Sequence, residues 1–97
     1  MFGQKNETQP DLEIFAMWDS KAQCYKPPVL STNKHTALRE LSKLMSENKS
    51  HEFFSNAEDF QLFKIGDYSY RTAKINWHNP EAITGLHELK AALQSSN

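Results

Sequence analysis

Apolar residues alternate with other residues soon after a polar start to the chain. Positions 1–11 are polar and include Pro10, which predicts a loose lead-in. The run 12–18 is rich in strand-forming residues, and a strand here would carry apolar side chains on both faces. One face holds Leu12, Ile14, Ala16 and Trp18, and the other holds Phe15 and Met17. The pattern therefore predicts an interior strand.

The segment 24–30 resumes an extended pattern after the polar turn 19–23. Pro27 and Pro28 have no backbone N–H to donate, which confines this strand to a sheet edge or cuts it short. The two segments are expected to form a hairpin.

A helix over 33–47 is the clearest single prediction. Asn33 is suited to cap its N-terminus, and apolar residues then recur at helical spacing. They are Ala37, Leu38, Leu41, Leu44 and Met45. We expect this helix to pack on one face of the sheet through Leu38, Leu41 and Met45, and a polar loop after it to bring Phe53 and Phe54 onto the core.

Two more strands and a second helix are predicted in the remaining sequence. The strands cover 60–65 and 68–77, separated by a turn or bulge at Gly66–Asp67. Asn79 and Pro80 then favour a helix start. The apolar face of that helix would carry Ala82, Leu86, Leu89 and Leu93.

The order of these elements is β-β-α-β-β-α, which predicts an α+β fold with a small antiparallel sheet. The length of 97 residues suits a single domain over 1–97, with a frayed end at 95–97. One helix covers one sheet face only. If Phe15 and Met17 face away from that helix, they need the second helix or another subunit to cover them, and we expect a homo-oligomer.

Composition narrows the function classes. The net charge is −1, there is one cysteine, and no apolar run reaches membrane-spanning length. The first residues have no signal-peptide pattern, which favours the cytoplasm. Phosphate-binding glycine loops and paired metal-ligand motifs are absent from the sequence. We therefore expect a non-catalytic protein without a cofactor or a metal site.

Two groups of residues could bind nucleic acid. His35, Arg39 and Lys43 lie one helical turn apart and form a basic ridge that could follow a phosphate backbone. The last predicted strand mixes aromatic and basic side chains, a combination typical of single-strand binders. These are Tyr68, Tyr70, Arg71, Lys74 and Trp77. A solvated helix face and an aromatic core would explain the same residues without a ligand.

Three segments carry a resemblance to a known family. They are the run 15–22 (FAMWDSKA) followed by Tyr25 and Pro27, the helical stretch Ala37-Leu38-Arg39, and the run 58–67 (EDFQLFKIGD). In order and spacing they resemble the small nonstructural protein of gokushoviruses, the chlamydia-phage-like Microviridae. The chain departs from that family at Ala57, where a proline is common, and at 68–71, where an acidic turn with glycine is common.

The resemblance implies a phage accessory protein in the cytoplasm of an infected bacterium. Such proteins are expected to bind DNA or to assist the change from duplex replication to single-strand synthesis for packaging. Single-stranded DNA is then the expected partner. The alternative is a protein-interaction module that engages a replication, packaging or host protein. The net charge favours the alternative, and the basic ridge and aromatic strand favour DNA.

Overall fold

The computed structural model describes residues 11–95. The predicted loose segment 1–11 and frayed end 95–97 lie outside the described residues apart from Asp11 and Ser95. In chain order the elements are β1 (Leu12–Asp19), β2 (Cys24–Tyr25), β3 (Val29–Ser31), α1 (Lys34–Glu47), α2 (Glu52–Ser55), a 3-10 turn (Ala57–Asp59), β4 (Phe60–Tyr68), β5 (Ile75–Gly85) and α3 (Leu86–Ser95).

The strands form one antiparallel sheet in the order β2-β1-β4-β5, with β3 beside β1 on the same edge as β2. The long central pair joins β1 to β4, from Leu12 opposite Tyr68 to Asp19 opposite Phe60. The predicted α+β class with an antiparallel sheet is confirmed. None of the described helices is long and apolar enough to span a membrane.

Two prolines divide the sheet edge beside β1. The predicted strand over 24–30 is in fact two short strands, β2 and β3, separated by Pro27 and Pro28. Because neither proline can donate to the ladder, β1 loses its edge partner there. The tight turn before β2 is held by the Asp19 carboxylate, which accepts hydrogen bonds from the backbone N–H groups of Lys21 and Ala22 at 3.0 and 3.1 Å.

Helix α1 begins and packs as its sequence predicts. The Asn33 side chain accepts a hydrogen bond from the backbone N–H of Thr36 at 2.8 Å and caps the first turn. Met45 is completely buried, and Leu38 and Leu41 are partly buried against the same core. The predicted contact of this helix with one face of the sheet is therefore confirmed.

The three helices of the described chain all cover the same face of the sheet. The core there consists of buried residues from β1, β4 and the helical elements, namely Phe15, Met17, Met45, Ala57, Phe60, Leu62 and Leu86. Phe15 and Met17 do not face away from α1, because the helices cover the face that carries these two side chains. As predicted, Phe53 and Phe54 also pack onto this core, from the short helix α2.

The C-terminal third differs from its predicted elements. Strand β4 runs on to Tyr68, β5 covers Ile75–Gly85, and α3 begins only at Leu86. The helix-start signal at Asn79 and Pro80 is overridden because β4 offers this segment a strand to pair with. Pro80 is tolerated because β5 is an edge strand and its register shifts between Lys64 and Gly66. That shift agrees with the bulge predicted at Gly66.

Replacing Met45 by alanine should lower the free energy of unfolding by about 2–5 kcal/mol, because the change empties a completely buried position. Leu38→Ala on the same helix is the control, since Leu38 is only partly buried. Urea unfolding followed by circular dichroism measures both. Equal costs for the two variants would contradict this description of the core.

Candidate nucleic-acid interface

The face of the sheet away from the helices is apolar, and we call it the open face. Ile14, Ala16 and Ile65 are buried there, with Phe63 and Tyr68 packed against them. Antiparallel sheets covered on one side usually present polar residues on the other side. An apolar face that no helix of residues 11–95 covers therefore marks a surface with a function beyond folding.

Aromatic rings extend across one end of the open face. The ring centroids of Trp18 and Tyr25 are 5.0 Å apart, and those of Tyr25 and Phe63 are 5.6 Å apart, both edge to face. Trp18 and Phe63 are half-buried, whereas 40% of Tyr25 is exposed. These rings support one another and leave Tyr25 accessible to a ligand.

A groove of about 530 Å³ crosses the open face. Ala16 and Ile65, on the two central strands, form its floor. Its walls rise from the opposite edges of the sheet: Tyr25, Lys26, Pro27 and Pro28 on one side, and Trp77, His78 and Pro80 on the other. We call it the open-face groove. Its volume is in the range typical of ligand sites.

The turn 69–74 between β4 and β5 extends beyond the sheet, and the first half of β5 follows it along the sheet edge. Strand β1 begins at Leu12, which lies opposite Tyr68 near the end of β4. The residues that follow Tyr68 therefore have no residue of β1 beside them. Every residue from 70 to 80 is exposed. We call residues 69–80 the arm.

The arm has a defined conformation in spite of its exposure. The backbone N–H of Tyr70 donates to the Asp11 carboxylate at 2.7 Å, which fixes the base of the turn. The turn is closed by Ser69 N–H to Lys74 O at 3.0 Å and by Ala73 N–H to Ser69 O at 2.9 Å. Ala73 adopts a positive φ of 59°. The side chains of the arm are thus presented from an ordered hairpin.

Four of the eight predicted site residues lie in the arm and are exposed: Tyr70, Arg71, Lys74 and Trp77. Tyr70 and Trp77 are 66% and 68% exposed, more than an aromatic core residue would be. Tyr68, by contrast, is half-buried at the end of β4, with its ring 6.2 Å from that of Tyr70. Its position suits support of Tyr70 more than contact with a ligand.

The basic ridge lies elsewhere. His35, Arg39 and Lys43 are exposed on α1, on the side of the sheet that carries the helices, whereas Trp77 lines the open-face groove. At the start of the ridge, His35 borders a cavity of about 360 Å³ that also contains Glu13 and Glu81. The structure therefore separates the two predicted basic groups, and acidic side chains lie beside one of them.

Lys64 also lines that cavity and forms ion pairs with two carboxylates. Its ammonium nitrogen lies 3.3 Å from Asp67 Oδ1 and 3.5 Å from Glu13 Oε2. Burial disfavours the charged ammonium, but the two carboxylates outweigh this effect and raise the pKa of Lys64 above its usual value. Lys64 is thus held by the fold as an ion-pair partner, and its charge is compensated within the protein.

The charge of the arm is not compensated in this way. The run 68–80 contains Arg71 and Lys74 and no aspartate or glutamate. Within residues 11–95, neither of these two side chains forms an ion pair. A chain with a net charge of −1 therefore presents a cationic, aromatic projection.

Sequence reasoning missed the contribution of Trp18, Tyr25 and Phe63 to the open face. The sequence contains a signal for the position of Trp18, because this residue shares the face of β1 that carries Ile14 and Ala16. Once Phe15 and Met17 are assigned to the helices, the alternation of the strand leaves Trp18 on the open face. Only the pairing of β1 with β4 adds Phe63 to it.

Comparison with known families identifies the group to which this chain is related. A family model described as "Phage ORF5 protein" matches residues 12–89, which is 78 of the 97 residues. The chain belongs to the phage ORF5 protein family. The match extends from the start of β1 into α3, so the arm and the open-face groove of this ORF5-family protein lie within it. No curated protein and no solved structure matches the chain.

Gly66 sets how closely the base of the arm can approach β4. A Cβ atom at this position would lie 2.5 Å from the backbone oxygen of Asn76. Gly66→Ala should therefore force β4 and β5 apart and lower the free energy of unfolding by about 1–3 kcal/mol. Urea unfolding measures the change.

Gly85→Ala is the matched control for Gly66→Ala. Its added Cβ would lie 3.0 Å from the ring of His87, an exposed side chain that can move away. We expect a cost below that of Gly66→Ala. A Gly66→Ala protein as stable as the wild type would show that the backbone approach at Asn76 does not limit the hairpin.

Proposed function

We propose that this ORF5-family protein is a non-catalytic phage accessory protein that binds single-stranded DNA through its arm and open-face groove. It would act in the cytoplasm of the host bacterium, during genome replication or during single-strand synthesis for packaging. The resemblance to the small nonstructural protein of gokushoviruses supports this role. It also supports a narrower membership, in the chlamydia-phage-like Microviridae.

The observation that carries the proposal is the exposure of Trp77. Its ring is 68% exposed at the wall of an apolar groove, and it lies on the same projection as Arg71 and Lys74. An aromatic ring held on a rigid strand offers a base a stacking surface worth about 1–3 kcal/mol. The two cations can neutralise the phosphates that flank that base.

Such a surface should bind unpaired bases in preference to bases in a duplex. In a duplex the bases are already stacked on one another, so Trp77 and Tyr70 could contact them only after unstacking, at a cost of a few kcal/mol. A single strand has no such cost. The arm should therefore prefer single-stranded DNA over duplex of the same length.

A protein-interaction module is the second candidate. The apolar floor of the open-face groove, with Ile14, Ala16 and Ile65 buried around it, would also accept an apolar segment of a replication, packaging or host protein. In that case Arg71 and Lys74 would pair with carboxylates of the partner. The net charge of −1 is in keeping with this candidate.

Titration with a fluorescent single-stranded oligonucleotide tests the DNA proposal. With two phosphate contacts, the logarithm of the binding constant should fall against the logarithm of salt concentration with a slope of about −1.4. That slope corresponds to about sevenfold weaker binding at 200 mM than at 50 mM salt. Trp77→Ala should weaken binding about 5- to 150-fold, because stacking is lost.

Matched charge reversals separate the arm from the ridge. The double variants Arg71→Glu with Lys74→Glu, and Arg39→Glu with Lys43→Glu, change the net charge equally, and all four residues are exposed. We expect the arm variant to lose binding and the ridge variant to retain most of it. If the ridge variant loses more affinity than the arm variant, the bound DNA lies along α1 instead. If no oligonucleotide binds at low salt, the protein-interaction module becomes the leading candidate.

A further inference from the structure

Irregular pairing between β4 and β5 shapes one wall of the open-face groove. Between the pairs Gly66–Trp77 and Lys64–Glu81, β5 has three residues where β4 has only Ile65. Extra residues of this kind bend a strand and re-aim its side chains, and they are frequent next to functional sites. The wall that β5 forms beside Ile65 is thus built by the strand itself.

The opposite edge of the sheet is also irregular beside the groove. The paired residues on this side end at Tyr25 and resume at Val29, so the three residues 26–28 face only two residues of β1. Two of the three are prolines, which cannot donate to the ladder. Both edges therefore depart from regular pairing, and the groove floor of Ala16 and Ile65 lies between them.

The floor offers a ligand no hydrogen-bonding side chain. Ala16 and Ile65 are 3% and 9% exposed, and their side chains consist of hydrocarbon alone. A polar group of a ligand that reaches this floor would lose its contact with water and find no side-chain partner there. The floor can therefore select a ligand by its apolar surface.

The charge of Lys26, on the groove wall, is directed toward the helices. Its ammonium nitrogen lies 3.2 Å from Glu52 Oε2 and 5.6 Å from the centre of the Phe60 ring. Glu52 belongs to α2, and Phe60 belongs to the core beneath the helices. The hydrocarbon stem of Lys26 is thus the part that it can offer to a ligand in the groove.

Aromatic rings stand on both walls. Tyr25 is 40% exposed on one wall, and Trp77 is 68% exposed on the other. A flat ring that enters the groove can stack on either of them, and Arg71 and Lys74 of the arm supply positive charge nearby. The groove therefore combines stacking surfaces, cations and an apolar floor.

We propose that the open-face groove holds one base of the bound strand and prefers thymine. This inference rests on the proposed function and specifies its ligand. Adenine, cytosine and guanine each carry an amino group, whereas thymine carries a methyl group that packs well on alanine. The floor at Ala16 can bury that methyl group, but an amino group buried there would be left without an acceptor.

Three oligonucleotides of equal length test the preference, made only of thymidine, of deoxyuridine or of deoxycytidine. They carry the same phosphate charge, and thymine differs from uracil by its methyl group alone. In a fluorescence titration the thymidine strand should bind about fourfold more tightly than the deoxyuridine strand, which is the effect of burying one methyl group. The deoxycytidine strand should bind most weakly, because its amino group finds no acceptor.

Ala16→Val places extra methyl groups on the floor and should keep the base away from it. We expect the affinity for the thymidine strand to fall to that for the deoxyuridine strand, with an unchanged circular dichroism spectrum. Ala82→Val is the matched control. Ala82 pairs with Phe63, which lies opposite Ala16, so it is on the same face of the sheet, but it does not line the groove. This variant should keep the fourfold preference.

Equal binding of the thymidine and deoxyuridine strands by the wild type would overturn the inference and leave the proposed DNA binding intact. This comparison does not depend on the folding of any variant. A preference that persists in folded Ala16→Val, or that disappears in Ala82→Val, would also overturn the inference, because the floor would then not be what senses the methyl group. If none of the three strands binds at low salt, the proposed function fails and this inference fails with it.

Discussion

The pairing of β1 with β4, with the helices of residues 11–95 all on one side of it, is the constraint on which the rest of the structure depends. Phe15 and Met17 point from β1 into the helical layer, and the alternation of the strand sends Ile14 and Ala16 to the other side. A chain of this size has three short helices and no second layer for that side among its described residues. The exposed aromatic surface follows from the same strand that builds the core.

The arm follows from where the sheet ends. Strands β1 and β5 both pair with β4 as far as Tyr68, so the turn between β4 and β5 lies past the end of the sheet, and the extra length of β5 is taken up by its two register shifts. Gly66 allows the close backbone approach to Asn76 from which the arm projects. Because the arm contains no acidic residue, its two cations act together, although the whole protein is slightly acidic.

Much of the fold could be predicted from local signals. The Asn33 cap and the apolar spacing through Met45 specify α1, and the two prolines mark the broken edge. The C-terminal third could not be predicted in this way, because Asn79 and Pro80 carry a helix-start signal that the pairing of β5 with β4 overrides. Its cause is a contact between distant residues, which local propensity does not contain.

The candidate site was only partly predictable, because residue types are local information and the placement of the helices is not. Exposed Tyr70, Arg71, Lys74 and Trp77 were recognised by residue type, but their separation from the α1 ridge depends on which face the helices cover. Both faces of β1 carry apolar side chains, so the sequence pattern does not say whether the helices cover the face of Phe15 and Met17 or the opposite face. Two basic groups that look alike in the sequence thus lie in different elements, one on α1 and the other in the turn that precedes Trp77.

The most direct test is to map the bound strand by nuclear magnetic resonance. Backbone amide shifts of isotope-labelled protein would be recorded with and without a single-stranded oligonucleotide. The account predicts that the changes concentrate in the arm and around Tyr25 and Ala16, with little change along α1 from His35 to Lys43. Changes confined to α1, or an absence of changes at Trp77, would contradict it.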